Sequence, residues 1–235
     1  MGLDESEKLF LLAHVAERAE RWDEMADYMK ALAELGSPLN SDQRNMLSSA
    51  FKSALAERRQ ALRVAVAAAQ EYAADHAQHA SLAIGYKNKV EAELKEICEK
   101  ATALLGSRLV PSAQPGEAKT FYLKMMGDYY RYLAEFAEGD ARLRAAEEAK
   151  VAYAQGMQEA TALSEVDPVR LGLALNFSVF QHEVLQDTAG AVTTAKETLG
   201  KSSQAINTIS EETRNEALLT MQLLQDNLSL WDPGN

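Results

Sequence analysis

No proline or glycine interrupts the chain between Pro38 and Gly85. Such a run is too long for a single strand, and apolar residues recur along it at helical spacing. The same spacing returns through the rest of the sequence, and strand-like alternation never persists beyond a few residues. Only five prolines and 12 glycines occur in 235 residues, so most of the chain is free to be helical. The length suits one large domain or two small ones and allows a sizeable core. The expectation is an all-α fold.

Punctuation divides the chain into about nine segments with short connections, which predicts antiparallel neighbours. The helices are expected roughly at 4–19, 22–34, 41–76, 80–105, 117–137, 141–163, 169–185, 190–206 and 212–231. In "LGSPLNSD" Ser41 is the expected N-cap. "GSRLVPSAQPGE" at 106–117 is the strongest break. In "EGDA" Gly139 is expected to stop one helix and Asp140 to cap the next. "VDPVR" predicts Asp167 as N-cap with Pro168 in the first helical position. "LQDTAG" and "NTISEE" read as turns, and "WDPGN" ends the last helix. Helix pairs of this length suggest a repeat solenoid, but no self-similar motif recurs.

The net charge of −11 argues against nucleic acid or an anionic membrane as a non-specific partner. A local basic pocket would stand out against that background. The single cysteine, Cys98, excludes an intrachain disulfide, suits a reducing compartment and reads as a buried small hydrophobe. No apolar run is long enough for a transmembrane helix, and no secretory signal is present. Gly2 and Ser6 superficially match a myristoylation pattern, but Asp4 and Glu5 count against it. His76 and His79 have H-x-x-H spacing without a third ligand, and read as surface.

Four stretches carry more specific information. In "RNMLSSAFKSALAERRQALRVAV" the apolar face spans roughly −60° to +80° about Leu47, while Lys52, Arg59 and Arg63 share a strip at about 120–160°. Arg58 falls inside the apolar sector and needs a partner. In "FYLKMMGDYYRYLAEF" Lys124, Asp128 and Arg131 are spaced i, i+4, i+7, with Tyr132 and Glu135 following, so one acid can hold two cations in fixed rotamers. In "RLGLALNFSVFQHEVL" Leu175, Asn176, Val179 and Glu183 lie close together. In "LLTMQLLQDNLSLW" Leu223, Asn227 and Leu230 repeat along one face, beside Trp231. An asparagine inside an apolar face is costly unless its amide is used. Taken singly, each stretch is equally compatible with a solvated charge stripe or an ordinary core helix.

Taken together, in this order and spacing, the four stretches resemble the signature segments of the 14-3-3 family. The resemblance runs from the first helix to Trp231. It implies a single domain over 1–235, built of nine antiparallel helices around a concave, TPR-like groove and assembled as a dimer. Residues 1–108 would supply the dimer contacts and a basic groove wall; residues 117–231 would supply the remaining phosphate contacts and an apolar wall. The implied function is that of a non-enzymatic adaptor for phosphoserine and phosphothreonine motifs. It implies Lys52, Arg59, Arg131 and Tyr132 on the phosphate, with Lys124 along the same groove. Asn176 and Asn227 would bond the peptide main chain. Leu175, Val179, Leu223 and Leu230 would form the apolar wall, flanked by Glu183 and Trp231. Tyr129 and Tyr130 would be packing residues.

The resemblance also implies a homodimer, or a heterodimer with paralogues. Val15, Ala19 and Tyr86 would give apolar contact, and Arg21–Glu93 and Glu24–Lys89 would pair across the interface. The implied partners are phosphorylated client proteins, without nucleic acid, membrane insertion, metal or cofactor. The implied location is the cytoplasm, extending to the nucleus. Met126 and Gln225 stand where many members carry Lys and Arg, which makes the groove less basic. Ala61 stands where some members carry a regulatory Ser, and His182 where an aromatic is common. A flexible acidic tail is typical of the family, and this sequence stops at Asn235. The competing reading is a helical-repeat scaffold for unphosphorylated helices or acidic peptides. An enzyme is the least supported, because no phosphate-binding Gly loop or nucleophile–base pair occurs.

Overall fold

The computed structural model describes residues 2–73 and 76–232, apart from the side chains of residues 208, 212 and 213. Among the described residues there are nine long helices and no strand. They are α1 (Glu5–Arg18), α2 (Trp22–Glu34), α3 (Ser41–Tyr72), α4 (Ala77–Leu104), α5 (Glu117–Phe136), α6 (Gly139–Glu159), α7 (Pro168–Glu183), α8 (Thr188–Ala205) and α9 (Glu211–Trp231). The all-α expectation therefore holds, with most boundaries displaced by only a few residues. The expected end of the third helix at residue 76 crosses residues 74 and 75, which lie outside the described residues, as does the chain after residue 232.

Two caps differ from the sequence reading. The N-cap of α3 is Asn40, not Ser41: its side chain accepts from Gln43 N–H, and the Gln43 side chain accepts from Asn40 N–H. This reciprocal box satisfies two donors at once, which a serine one residue later would forgo. At 137–139 the chain turns earlier than expected. The α5 helix ends at Phe136, and Gly139, at φ +53°, already opens α6 behind Glu138. Asp167 caps α7 as expected, accepting from Val169 and Arg170 N–H, with Pro168 in the first helical position. Pro there has no N–H to leave unsatisfied.

The break expected at 106–117 is shorter. Beyond α4 the chain continues as a π-helix over Leu105–Leu109 and one further turn at Val110–Ser112. The wider turn hands Val110 N–H back to Leu105 C=O, so the ladder continues as far as Pro111, which has no N–H to add. Only residues 113–116 are irregular. Gly116, at φ +98°, closes this link, and its N–H donates to Glu159 Oε1 at 2.6 Å. That bond, with Lys119 beside it, holds the Glu159 carboxyl below its ordinary value.

Two compact units result, residues 1–112 and 113–235. In the first, α3 packs on α2 and α4, and α1 packs on α2. Its core centres on Met25, Met29, Leu47, Leu55, Leu94 and Leu105, and Cys98 is fully buried within it. Arg58, on the apolar side of α3, finds Asp23 at 2.6 Å and Glu93 at 3.4 Å. In the second unit, α5 packs on α6 and α7, while α9 packs on α7 and α8. One core cluster gathers Ala149, Tyr153, Ala160, Leu173 and Phe180; another gathers Val166, Leu171, Ala217 and Met221. Each large apolar side chain buried this way contributes about 1.5–3 kcal/mol.

Thr120, on the first turn of α5, is fully buried, and its hydroxyl finds no hydrogen-bond partner among the described residues. An isosteric Val removes that desolvated hydroxyl. Thr120→Val is expected to stabilise the protein by about 1 kcal/mol, read from urea unfolding midpoints. A less stable variant would show that the hydroxyl is satisfied.

Candidate functional site

The strongest polar feature of the second unit is the buried carboxylate of Asp128. It sits on α5 with 8% exposure, as does Arg131 three residues on. Lys124 Nζ donates to Asp128 Oδ2 at 2.9 Å. The Tyr153 hydroxyl, from α6, donates to Oδ1 at 2.6 Å, and Asn176 Nδ2, from α7, donates to the same oxygen at 2.7 Å. Arg131 Nη2 lies 3.8 Å from Oδ1. Three helices thus converge on one acid. The i, i+4, i+7 spacing seen in the sequence is a partly buried network and not an exposed ladder, which would be worth little.

Arg131 is fixed from several sides. Its Nε donates to the Tyr153 hydroxyl at 3.3 Å, and its Nη1 to Glu135 at 2.8 Å. Its guanidinium carbon stands 4.5 Å from the centroid of the Tyr132 ring. Such an arrangement immobilises a side chain that otherwise loses much rotamer entropy on ordering. Tyr132 is half-buried, Tyr129 is buried, and Tyr130 packs against the Tyr153 cluster. The last two are therefore packing residues.

The charges respond to this arrangement. Burial alone would raise the Asp128 carboxyl, but Lys124 and Arg131, with the hydrogen bonds from Tyr153 and Lys124, bring it below its ordinary value. Burial lowers Arg131, yet Tyr153, Asp128 and Tyr132 reverse this and hold its proton more firmly. Burial and the adjacent Asp128 both push the Tyr153 phenol well above its ordinary range, so it stays a donor. At neutral pH the site is an anion between two cations.

The groove residues expected on α7 and α9 occupy the same unit. Leu175, Asn176 and Val179 on α7 are half-buried, and Glu183 is exposed. On α9, Asn227 and Trp231 are half-buried, whereas Leu223 and Leu230 are 47% and 77% exposed. Leu219, at 67%, extends that exposed apolar stripe. Trp231 stacks on His182 with centroids 4.8 Å apart, tying the end of α9 to α7.

In the first unit, Lys52 is exposed and Arg59 half-buried on α3, and Arg63 is exposed beside Gln60. The residues expected at a dimer interface also belong there. Val15 and Tyr86 are 56% and 55% exposed, and Leu11, Leu12, Leu82 and Ile84 add further exposed apolar surface. Ala19, Arg21 and Lys89 are exposed, and Glu24 is half-buried. Within the single chain Arg21 pairs with Glu24, and Glu93 with Arg58. The cross-subunit pairs Arg21–Glu93 and Glu24–Lys89 would have to exchange or share those bonds. His76 and His79 are exposed, with ring centroids 4.9 Å apart. No described helix is long and apolar enough to cross a membrane.

Sequence reasoning missed Tyr153 and Gly127. Tyr153 lies 25 residues from Asp128, in a segment whose pattern gives only a core position. Gly127, inside α5, carries no side chain that a helical pattern could register. A Cβ there would stand 2.7 Å from the Tyr153 ring, so its absence is what admits the ring.

The fold is all-α, with a buried arginine held in an ion network beside amide-bearing apolar helices. Its family follows from comparison with known proteins. The 14-3-3 protein family model matches residues 12–232, so this chain belongs to the 14-3-3 family. It is 42% identical to the Xenopus tropicalis 14-3-3 protein beta/alpha, across 99% of this chain and 95% of that one. It is 44% identical to the Arabidopsis thaliana 14-3-3-like protein G-BOX factor 14 kappa, across 94% and 91%. It is 43% identical to the Oryza sativa 14-3-3-like protein GF14-C, across 94% and 88%. The family consists of non-enzymatic adaptors that bind phosphoserine and phosphothreonine motifs in signalling.

The lowered Asp128 carboxyl has a pH consequence. Its proton is held more weakly in the folded than in the unfolded chain. Its contribution to stability is therefore complete above the ordinary carboxylate range near about pH 4 and fades as pH falls through the lower folded value. Asp128→Asn is expected to cost about 1.5–3 kcal/mol at pH 7. The gap from the parent protein should narrow in thermal unfolding as the pH is taken below 4. A gap that does not change with pH would contradict the assigned ion network.

Proposed function

We propose that Lys52, Arg59, Arg131 and Tyr132 together hold the phosphate of a client phosphoserine or phosphothreonine. Lys124 lines the same groove. The single observation that carries this reading is the buried Asp128 network, which orients Arg131 at a desolvation cost that a mere surface helix has no reason to bear. A phosphoserine brings roughly −1.5 to −2 charges and three acceptor oxygens. Two guanidinium forks, one ammonium and one phenol can saturate them with charge-assisted bonds. A ligand carboxylate, planar and less charged, binds more weakly.

Asn176 and Asn227 bond the peptide main chain, since an amide donates and accepts at once. Leu175, Val179, Leu223 and Leu230 read the flanking side chains, with Glu183 and Trp231 at the margin. Met126 and Gln225 leave those flanks less basic. The exposed apolar surface of α1 and α4 supports a dimer through Val15, Ala19 and Tyr86, either with itself or with a paralogue. The protein itself works in the cytoplasm and extends to the nucleus. Two grooves in one dimer raise the affinity for doubly phosphorylated partners through effective concentration.

Arg59→Ala and Arg131→Ala should each weaken binding of a singly phosphorylated peptide by about 1.5–3 kcal/mol in calorimetric titration. Full affinity in either variant would remove that residue from the phosphate site. A scaffold for unphosphorylated helices would use the exposed leucines alone, and inorganic phosphate would then fail to displace the peptide. Analytical ultracentrifugation at micromolar concentration should give about twice the 25.8 kDa chain mass; a monomer would contradict the dimer.

A further inference from the structure

Outside the residues proposed to face the ligand, a tightly built contact joins Gly127, Tyr153 and Asp128. Tyr153 is fully buried and so touches no ligand. Its ring packs on Phe180 and Phe177, with centroids 5.3 and 5.7 Å away. Its edge lies over Gly127, where a Cβ would come within 2.7 Å of Cδ1 and Cε1. Real Cβ atoms do not approach so closely, and the ring is walled in by the core, so a side chain at 127 must displace it. A glycine in a helix interior costs about 1 kcal/mol relative to alanine. Here that cost accompanies a close approach that alanine would forbid.

The contact fixes the phenol at a branch point. Its hydroxyl donates its only proton to Asp128 Oδ1 at 2.6 Å and accepts from Arg131 Nε at 3.3 Å. Asn176 Nδ2 donates to that same Oδ1 at 2.7 Å. An amide can present only its NH2 end to a carboxylate. The carboxamide oxygen and the second N–H of Asn176 are thereby turned toward other partners, the pair an extended peptide main chain requires. One oxygen of Asp128 thus receives the phenol that props Arg131 and the amide that would bind the peptide.

We propose that Tyr153, seated in the notch left by Gly127, is a positioning residue that sets Arg131 and, through Asp128, Asn176 for phosphopeptide binding. The proposal rests on the reading that Arg131 binds the phosphate. The test keeps the ring and removes the hydroxyl. Tyr153→Phe should retain helix content and dimer mass yet bind a phosphoserine peptide about tenfold more weakly, the scale of one hydrogen bond to a charged group. The same substitution made on Arg131→Lys, which lacks the Nε donor, should cost less than about threefold, because the coupled partner is already gone. A purely structural role for Tyr153 would give equal losses in both backgrounds. Gly127→Ala, which displaces the ring, should lower affinity as Tyr153→Phe does; if it does not fold, the Tyr153 cycle decides alone. Parent-like affinity in Tyr153→Phe, or equal losses in the two backgrounds, would overturn the proposal. Full affinity in Arg131→Ala would instead overturn the phosphate-site reading beneath it.

Discussion

The second unit depends on one buried carboxylate. Removing Asp128 from water is costly unless every lone pair is used and nearby cations compensate. The chain meets that demand with Lys124, Arg131, Tyr153 and Asn176, drawn from three helices. Each of these partners is constrained in return. Arg131 is propped by Tyr153 and Glu135, and Asn176 commits an amide N–H to Asp128 Oδ1. The residues proposed to contact the ligand are thus fixed before any ligand arrives. Such preorganisation reduces the ordering cost that binding would otherwise carry.

The overall charge of −11 gives this network its meaning. An acidic surface repels indiscriminate anions, so a phosphate is favoured only where specific cations are held in place. Apolar surface complements this polar centre. The leucines of α9 stand exposed at a cost in water, as do those of α1 and α4. In the proposed reading the first of these surfaces is a groove wall and the second a dimer face.

Much of this was legible in the sequence, for identifiable reasons. The helices were readable because apolar periodicity is a local property, and Asp167–Pro168 could be assigned because a cap and its proline are adjacent. The Lys124–Asp128–Arg131 series was readable because helix geometry brings i, i+4 and i+7 together. Its burial was not, because burial depends on what α6 and α7 lay over it. Tyr153 and Gly127 escaped for the same reason: their relation is a contact between helices, and neither stretch alone signals it. Asn40 outcompeted Ser41 as a cap because Gln43 completes a reciprocal pair with it. The break at 106–117 shrank because a π-turn carries the helix to Pro111, and a one-residue change of hydrogen-bond register leaves no mark in composition. The roles of Asn176 and Asn227 came from family resemblance, since an apolar helix bearing an asparagine is equally at home in a core.

The most direct measurement is fluorescence polarisation with one peptide in two forms, phosphorylated at a single serine and unphosphorylated. If the cations held by Asp128 form part of the recognition centre, the phosphorylated form binds and its twin binds far more weakly. Equal affinity for the two would contradict the account.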